Sequence, residues 1–252
     1  MPSKTFSALV LAACAALAPI GAHAAGGKAH WGYSGQEGPE HWAELAPENA
    51  ACAGKSQSPI DIIPAAAIGS GGSVPRMDWH GFTPEVVNNG HTIQVNTDGH
   101  GGSLSAGGRR YDLLQFHFHH LSEHTIDGKH GALEVHFVHK SAHGDLFVVG
   151  VMIQEGDANT VLEEVFGHIP EAGHAHEGTH EIDPGDLMPG DRAAFRYRGS
   201  LTTPPCSEIV TWHVMAEAVT ASKQQIETFK ALYPDNYRPV QPANHRTVVI
   251  SD

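Results

Sequence analysis

Seven segments of this chain alternate in hydropathy with a period of two: Thr92 to Asn96, Tyr111 to His119, Ala132 to His139, Leu146 to Gln154, Ala194 to Tyr197, Glu208 to Met215 and Thr247 to Ile250. Successive side chains of a strand point to opposite faces, so this period predicts strands whose two faces meet different surroundings. Gly-rich breaks such as Gly99 to Gly108 separate them, and Gln57-Ser58-Pro59-Ile60-Asp61-Ile62 reads as a turn leading into a further strand. Helical signals are few. Thr160 to Phe166 is one; another is opened by Ser222 with Gln225 three residues on, a capping-box pattern ahead of Ile226, Phe229 and Leu232 on one face. Gly38-Pro39-Glu40-His41-Trp42 predicts a short helix with Pro39 in its first turn. No repeat or linker interrupts the pattern. The expected fold is mainly β: a single domain with a large central twisted, mostly antiparallel sheet and short peripheral helices.

Within that pattern, Gln115-Phe116-His117-Phe118-His119-His120 places Gln115, His117 and His119 on one strand face and Phe116 and Phe118 on the other. Seventeen residues beyond His119 comes His136, which shares a face of the Leu133 to His139 segment with Glu134 and Val138. Two adjacent strands in this phase bring three imidazoles to one point. That arrangement supplies three nitrogen ligands to a zinc ion and leaves a fourth position open, as a catalytic zinc requires. Gln115 and Glu134 are placed to fix ring tautomers of neighbouring ligands by accepting their second N–H, and Val138 offers an apolar wall. His120, His124, His139, His143 and His213 are expected to be ordinary hydrogen-bonded core or surface residues.

The charge balance, 28 acidic against 15 basic residues, provides no basic stripe for phosphates and argues against a nucleic-acid partner. Lys4, the apolar stretch Phe6 to Ile20 and the small-x-small site Ala22-His23-Ala24 read as an export signal cleaved after Ala24. The apolar run is too short for a bilayer, and no later segment predicts a membrane span. Leu11-Ala12-Ala13-Cys14 offers an alternative, a lipoprotein acylated at Cys14. Cleavage after Ala24 leaves an expected domain of residues 25 to 252 that works in the periplasm or outside the cell. Cys14 leaves with a cleaved signal, so Cys52 and Cys206 are expected to pair in an oxidising compartment, with two buried free thiols as the alternative.

Gly199-Ser200-Leu201-Thr202-Thr203-Pro204-Pro205-Cys206, followed by Val210-Thr211-Trp212, adds a further motif. Together with the histidine segment, Ser122-Glu123-His124, Trp31-Gly32-Tyr33, Asn88-Asn89-Gly90-His91 and Asn236-Tyr237-Arg238-Pro239, it resembles the alpha class of carbonic anhydrases in a bacterial exported form. The resemblance covers the whole expected mature chain. It implies a zinc lyase that hydrates CO2 reversibly to bicarbonate and a proton, with Zn2+ on His117, His119 and His136 and water or hydroxide as fourth ligand. In carbonic anhydrases the pKa of that water is known to fall to about 7. It further implies that Asn236 supports a ligand, that Glu123 and Thr202 form an orienting pair, and that His91 shuttles protons to buffer. The donor count fits the pair: an ionised Glu123 takes the Thr202 hydroxyl proton, leaving the threonine oxygen to accept from a ligand that carries one. Val138, Val148, Leu201, Val210 and Trp212 match the apolar wall for CO2, Val138 and Leu201 foremost, and Thr203 a lesser polar contact. Cis peptides at Ser58-Pro59 and Pro204-Pro205, and a homodimer, are implied as well.

His168 to His180 fits the resemblance poorly, with four histidines in a loop-like stretch. A hydrated acidic loop is the expectation, and a second zinc or copper site the alternative. Two other classes compete with the enzyme: a carbonic-anhydrase-like binding protein, which would be expected to have lost a ligand, and a zinc-buffering protein resting on that loop. A weak esterase side activity would accompany a zinc hydroxide.

Overall fold

A computed structural model describes residues 30–70 and 74–251; the export signal, its cleavage site and Cys14 lie outside the described residues. Among the described residues, thirteen strands form one sheet, mostly antiparallel, and a further two strands pair with each other. At its centre the strands Ile93–Asn96, Arg109–His119, Leu133–Ser141 and Leu146–Glu155 pair antiparallel in that order. Leu146–Glu155 then runs parallel to Val210–Met215, which continues antiparallel to Ala194–Gly199. The fold expectation therefore holds, with parallel pairings mixed in.

The two faces of the sheet bury different things. Phe116, Phe118, Val135, Phe137, Val149 and Val151 point to one side, into a core closed by the helices Thr160–Gly167 and Lys223–Leu232. Phe118 meets Phe166 at 5.0 Å and Phe229 at 6.1 Å between ring centroids. Full burial of each such phenylalanine contributes about 1.5–3 kcal/mol, which fixes the rotation of the strand and so the aim of the histidines between them. The opposite side packs Ile60, Ile62, Val148, Tyr197, Val210 and Trp212 around the site. The predicted capping box forms: Gln225 N–H donates to Ser222 Oγ at 3.2 Å and Ser222 N–H to Gln225 Oε1 at 3.0 Å.

One element departs from simple alternation in a way that matters. Leu113 pairs with His139 and Gln115 with Val138, so Leu114 is an extra residue, a β-bulge. Tyr111 and Leu113 consequently face the helix-covered core with Phe116 and Phe118, although strict period two over Tyr111 to His119 would put them beside the histidines.

Three further expectations need correcting. Pro39 lies in the turn before a short helix Trp42–Leu45 and not in its first turn. The Gly99 to Gly108 break contains a strand, Gly102–Ala106, because Ser103 and Leu104 find a buried place beside Arg109–His119. The His168 to His180 stretch contains the strand His174–Glu177, held along the sheet edge by backbone pairing to Glu85–Asn88 with every side chain exposed. Ser58-Pro59 and Pro204-Pro205 are cis, as expected. Cys52 and Cys206 form a disulfide.

Candidate metal centre

His117 lies directly across from His136 in the register of the two central strands, and His119 across from Glu134. The rings of His117, His119 and His136 have centroids 4.7–5.3 Å apart. One nitrogen of each lies within 4.8 Å of the others. The remaining nitrogens are engaged outward: His117 Nδ1 donates to Gln115 Oε1 at 2.9 Å, His119 Nδ1 to the Asn236 carbonyl at 2.7 Å and His136 Nε2 to Glu134 Oε1 at 2.9 Å. Those bonds leave Nε2 of His117 and His119 and Nδ1 of His136 turned inward as acceptors.

Buried atoms at the point of convergence test whether a cation fits. His119 Nε2 and Glu123 Oε2 are buried with no hydrogen-bond partner among the described residues. Glu123 Oε2 stands 3.5 Å from His119 Nε2 and 3.8 Å from His136 Nδ1. Burial lowers the pKa of all three imidazoles, His119 to about 4, so they are neutral ligands at physiological pH. Neutral inward acceptors, outward bonds that fix each tautomer and a carboxylate close by are what a divalent metal ion needs, so the three residues fit one.

Glu134 is worked harder than its strand position suggested. Burial would raise its pKa, but His124 and His136 outweigh this and hold it well below the usual carboxylate range. Its Oε1 accepts from His136 Nε2 and, at 2.8 Å, from His124 Nδ1; its Oε2 accepts from the His124 backbone N–H at 2.8 Å. His124 passes the network to Tyr197 Oη at 2.7 Å, which donates to Ser58 Oγ at 2.9 Å. His124 is thus a hydrogen-bonded core histidine as expected, but one that braces a candidate ligand. Its adjacency to Glu123 was the only sequence signal for this; Tyr197 and Ser58 gave none. Asn236 acts through its main-chain oxygen on His119, while its side chain ties His120 N, His91 O and Phe118 O together.

Glu123 is fully buried; its Oε1 accepts from the Arg238 backbone N–H at 2.8 Å. Burial pushes its pKa up to about 7, opposed by His136, the Thr202 hydroxyl and Arg238. Thr202 is buried and adjacent, and Thr203 is half-buried. Val148, Val210 and Trp212 belong to the buried core, with half-buried Val138 and Leu201 packed on it. Trp212 packs 4.8 Å from the His136 ring and donates Nε1–H to Ser200 O at 3.0 Å. His91 is half-buried and stacks on Trp31 with centroids 3.8 Å apart and planes 8° apart. Burial, then His30, lowers its pKa. Trp31 as its partner was not foreseen.

The remaining histidines separate from the site. His139 donates Nδ1–H to Phe137 O and Phe147 O and accepts from Trp79 Nε1 at 3.0 Å, and His120 Nδ1 reaches Pro234 O. His213 departs from expectation: it is fully buried, with neither ring nitrogen hydrogen-bonded among the described residues. Among the described residues, no three of the His168 to His180 side chains converge as metal ligands, although His168 and His176 stack at 5.9 Å. No described helix is long and apolar enough to cross a membrane.

Comparison with known proteins agrees with this geometry. Residues 37–252 match the family model for eukaryotic-type carbonic anhydrase. A carbonic anhydrase of Nostoc sp. is 42% identical over 230 residues, covering 87% of this chain and 85% of the relative. One from Pectobacterium atrosepticum is 39% identical over 252 residues, covering 99% and 100%. The solved alpha-carbonic anhydrase of Thermovibrio ammonificans, in complex with the inhibitor sulfanilamide, superposes with a TM-score of 0.86 at 48% identity over 88% of this chain and 100% of that one. With a match running through the histidine strands, the Thr202 loop and the disulfide alike, the chain belongs to the eukaryotic-type, or alpha, carbonic anhydrase family.

Proposed function

We propose that the chain hydrates CO2 reversibly to bicarbonate and a proton at a zinc ion held by His117 Nε2, His119 Nε2 and His136 Nδ1. One observation carries the reading: three buried neutral imidazoles turn one nitrogen each toward a common point while Gln115, Asn236 and Glu134 hold the other. When bound, zinc supplies a Lewis acid that yields a nucleophile from water near neutral pH, and a positive charge beside Glu123 that favours its ionised form.

The chain's own residues do the rest. An ionised Glu123 accepts the Thr202 hydroxyl proton, so Thr202 Oγ1 presents a lone pair and prefers a reacting species that donates to it. That preference orients the nucleophile, a positioning effect. Val138 and Leu201, half-buried on the apolar side, give CO2 a niche without hydrogen bonds, and bicarbonate, once formed, meets Thr202 and Thr203 at the polar edge. The proton left by each turnover passes to a ring nitrogen of His91, whose main-chain oxygen is held by Asn236 and whose ring rests on Trp31. The disulfide and the segment read as a signal support a place of action outside the cytosol, in the periplasm or beyond the cell.

Stopped-flow hydration of CO2 by protein loaded with zinc, and again after chelation, tests the proposal. Rapid hydration that chelation abolishes is expected. A protein that carries one zinc per chain and leaves CO2 untouched would overturn it.

A further inference from the structure

Among the described residues, the guanidinium of the buried Arg238 finds only uncharged acceptors. The residue is 1% exposed. Its Nη1 donates to Gln57 Oε1 at 2.8 Å and Ser58 O at 2.9 Å, its Nη2 to Cys52 O at 3.1 Å, and the guanidinium lies 5.5 Å from the Trp42 ring centroid. Stability alone does not account for such a group, because apolar residues of similar volume often serve a core as well as buried ions do.

Its bonds run to both sides of the orienting pair. The Arg238 main-chain N–H donates to Glu123 Oε1. The segment its guanidinium clamps, Gln57-Ser58, holds the Thr202 loop from both ends: Ser58 N–H donates to Ser200 Oγ at 2.9 Å and Ser200 N–H to Ser58 Oγ at 3.1 Å, while Gln57 Nε2 donates to Cys206 O at 3.2 Å. Thr202 lies between those anchors. A planar fork with donors on several edges suits this task; a lysine ammonium cannot reach the same three acceptors in fixed directions.

We infer that Arg238 is a positioning residue: it sets the spacing between the Glu123 carboxylate and the Thr202 hydroxyl, and through that spacing the site's preference for anions that carry a proton. The inference rests on the reading of Glu123 and Thr202 as a pair.

Isothermal titration calorimetry of the zinc-loaded protein with hydrosulfide, which carries a proton, and thiocyanate, which does not, measures the preference directly. Arg238→Met should lower the hydrosulfide-to-thiocyanate affinity ratio about tenfold, the effect of losing one well-placed hydrogen bond, by weakening hydrosulfide alone. Arg238→Lys should fall between. Val161→Ala, a core change in the helix Thr160–Gly167, should lower the melting temperature and leave the ratio unmoved, which separates positioning from stability. Should Arg238→Met not fold, Gln57→Leu cuts the same link from the other side and should lower the ratio likewise. Thr202→Val distinguishes the two levels of the argument. If it collapses the ratio while the Arg238 and Gln57 variants leave it intact, Arg238 is merely structural and the inference fails. An intact ratio in Thr202→Val overturns the pair and the inference together.

Discussion

His213→Leu should make the protein more stable, and more so in acid. The side chain is fully buried on Val210–Met215 with both ring nitrogens unpartnered among the described residues, and it faces Arg196 across the strand pair. At pH 7.5 the neutral ring leaves polar atoms desolvated without compensation, and replacing it by leucine should gain about 1–3 kcal/mol. Burial, reinforced by Arg196, lowers its pKa to about 4, whereas the unfolded chain titrates near 6.5. The unfolded state therefore takes the proton first: the histidine costs nothing extra above that value, and stability is lost as pH falls from 6.5 towards 4. At pH 4.5 the loss amounts to about 2.5 kcal/mol. Urea unfolding of parent and variant at both pH values, with the disulfide intact, measures the difference and cancels every titration the two proteins share. A gap in stability that does not widen by roughly 2 kcal/mol between pH 7.5 and 4.5 would refute the account of a neutral, unpartnered ring.

Three further outcomes are expected. Glu134→Gln keeps the shape but sets an amide N–H against the N–H groups of His124 or His136, so metal affinity in competition with a chromophoric chelator should fall about 10–100-fold; a change under about threefold would argue against its bracing role. His91→Ala should slow turnover at least about tenfold in weak buffer and recover with added imidazole, while equal rates at all buffer strengths would remove it from the proton path. Reducing Cys52–Cys206, which spans 154 residues, should lower unfolding free energy by about 2–4 kcal/mol, and an unchanged denaturation midpoint would show that the bond adds little.

The convergence of three imidazoles at the candidate metal centre was legible in the sequence because it is built from period two alone. His117, His119 and His136 need only the phase of two strands, and Phe116 and Phe118 on the other face fix that phase by their burial. What stayed hidden depends on chain segments meeting from afar. Arg238, Gln57, Ser58 and Tyr197 hold the site through bonds across more than 70 residues of sequence, and even Tyr197, at the end of an alternating segment, carries no local sign of the partner it meets. The short strands Arg76–Trp79 and Glu85–Asn88 lack a sustained run, and His174–Glu177 is exposed on every side chain, so hydropathy has nothing to alternate against.

Leu114 lets both arms of the long histidine strand bury their apolar side chains in one core. Beyond it, towards Arg109, the strand answers to the hairpin with Gly102–Ala106; before His119 it answers to the imidazole cluster. Leu114, 44% accessible at this joint, absorbs the change of phase, so that both arms keep their pairing with Leu133–Ser141. The aim of His117 and His119 is thereby kept in step with the buried face of the whole strand by one residue that leaves its own side chain in solvent.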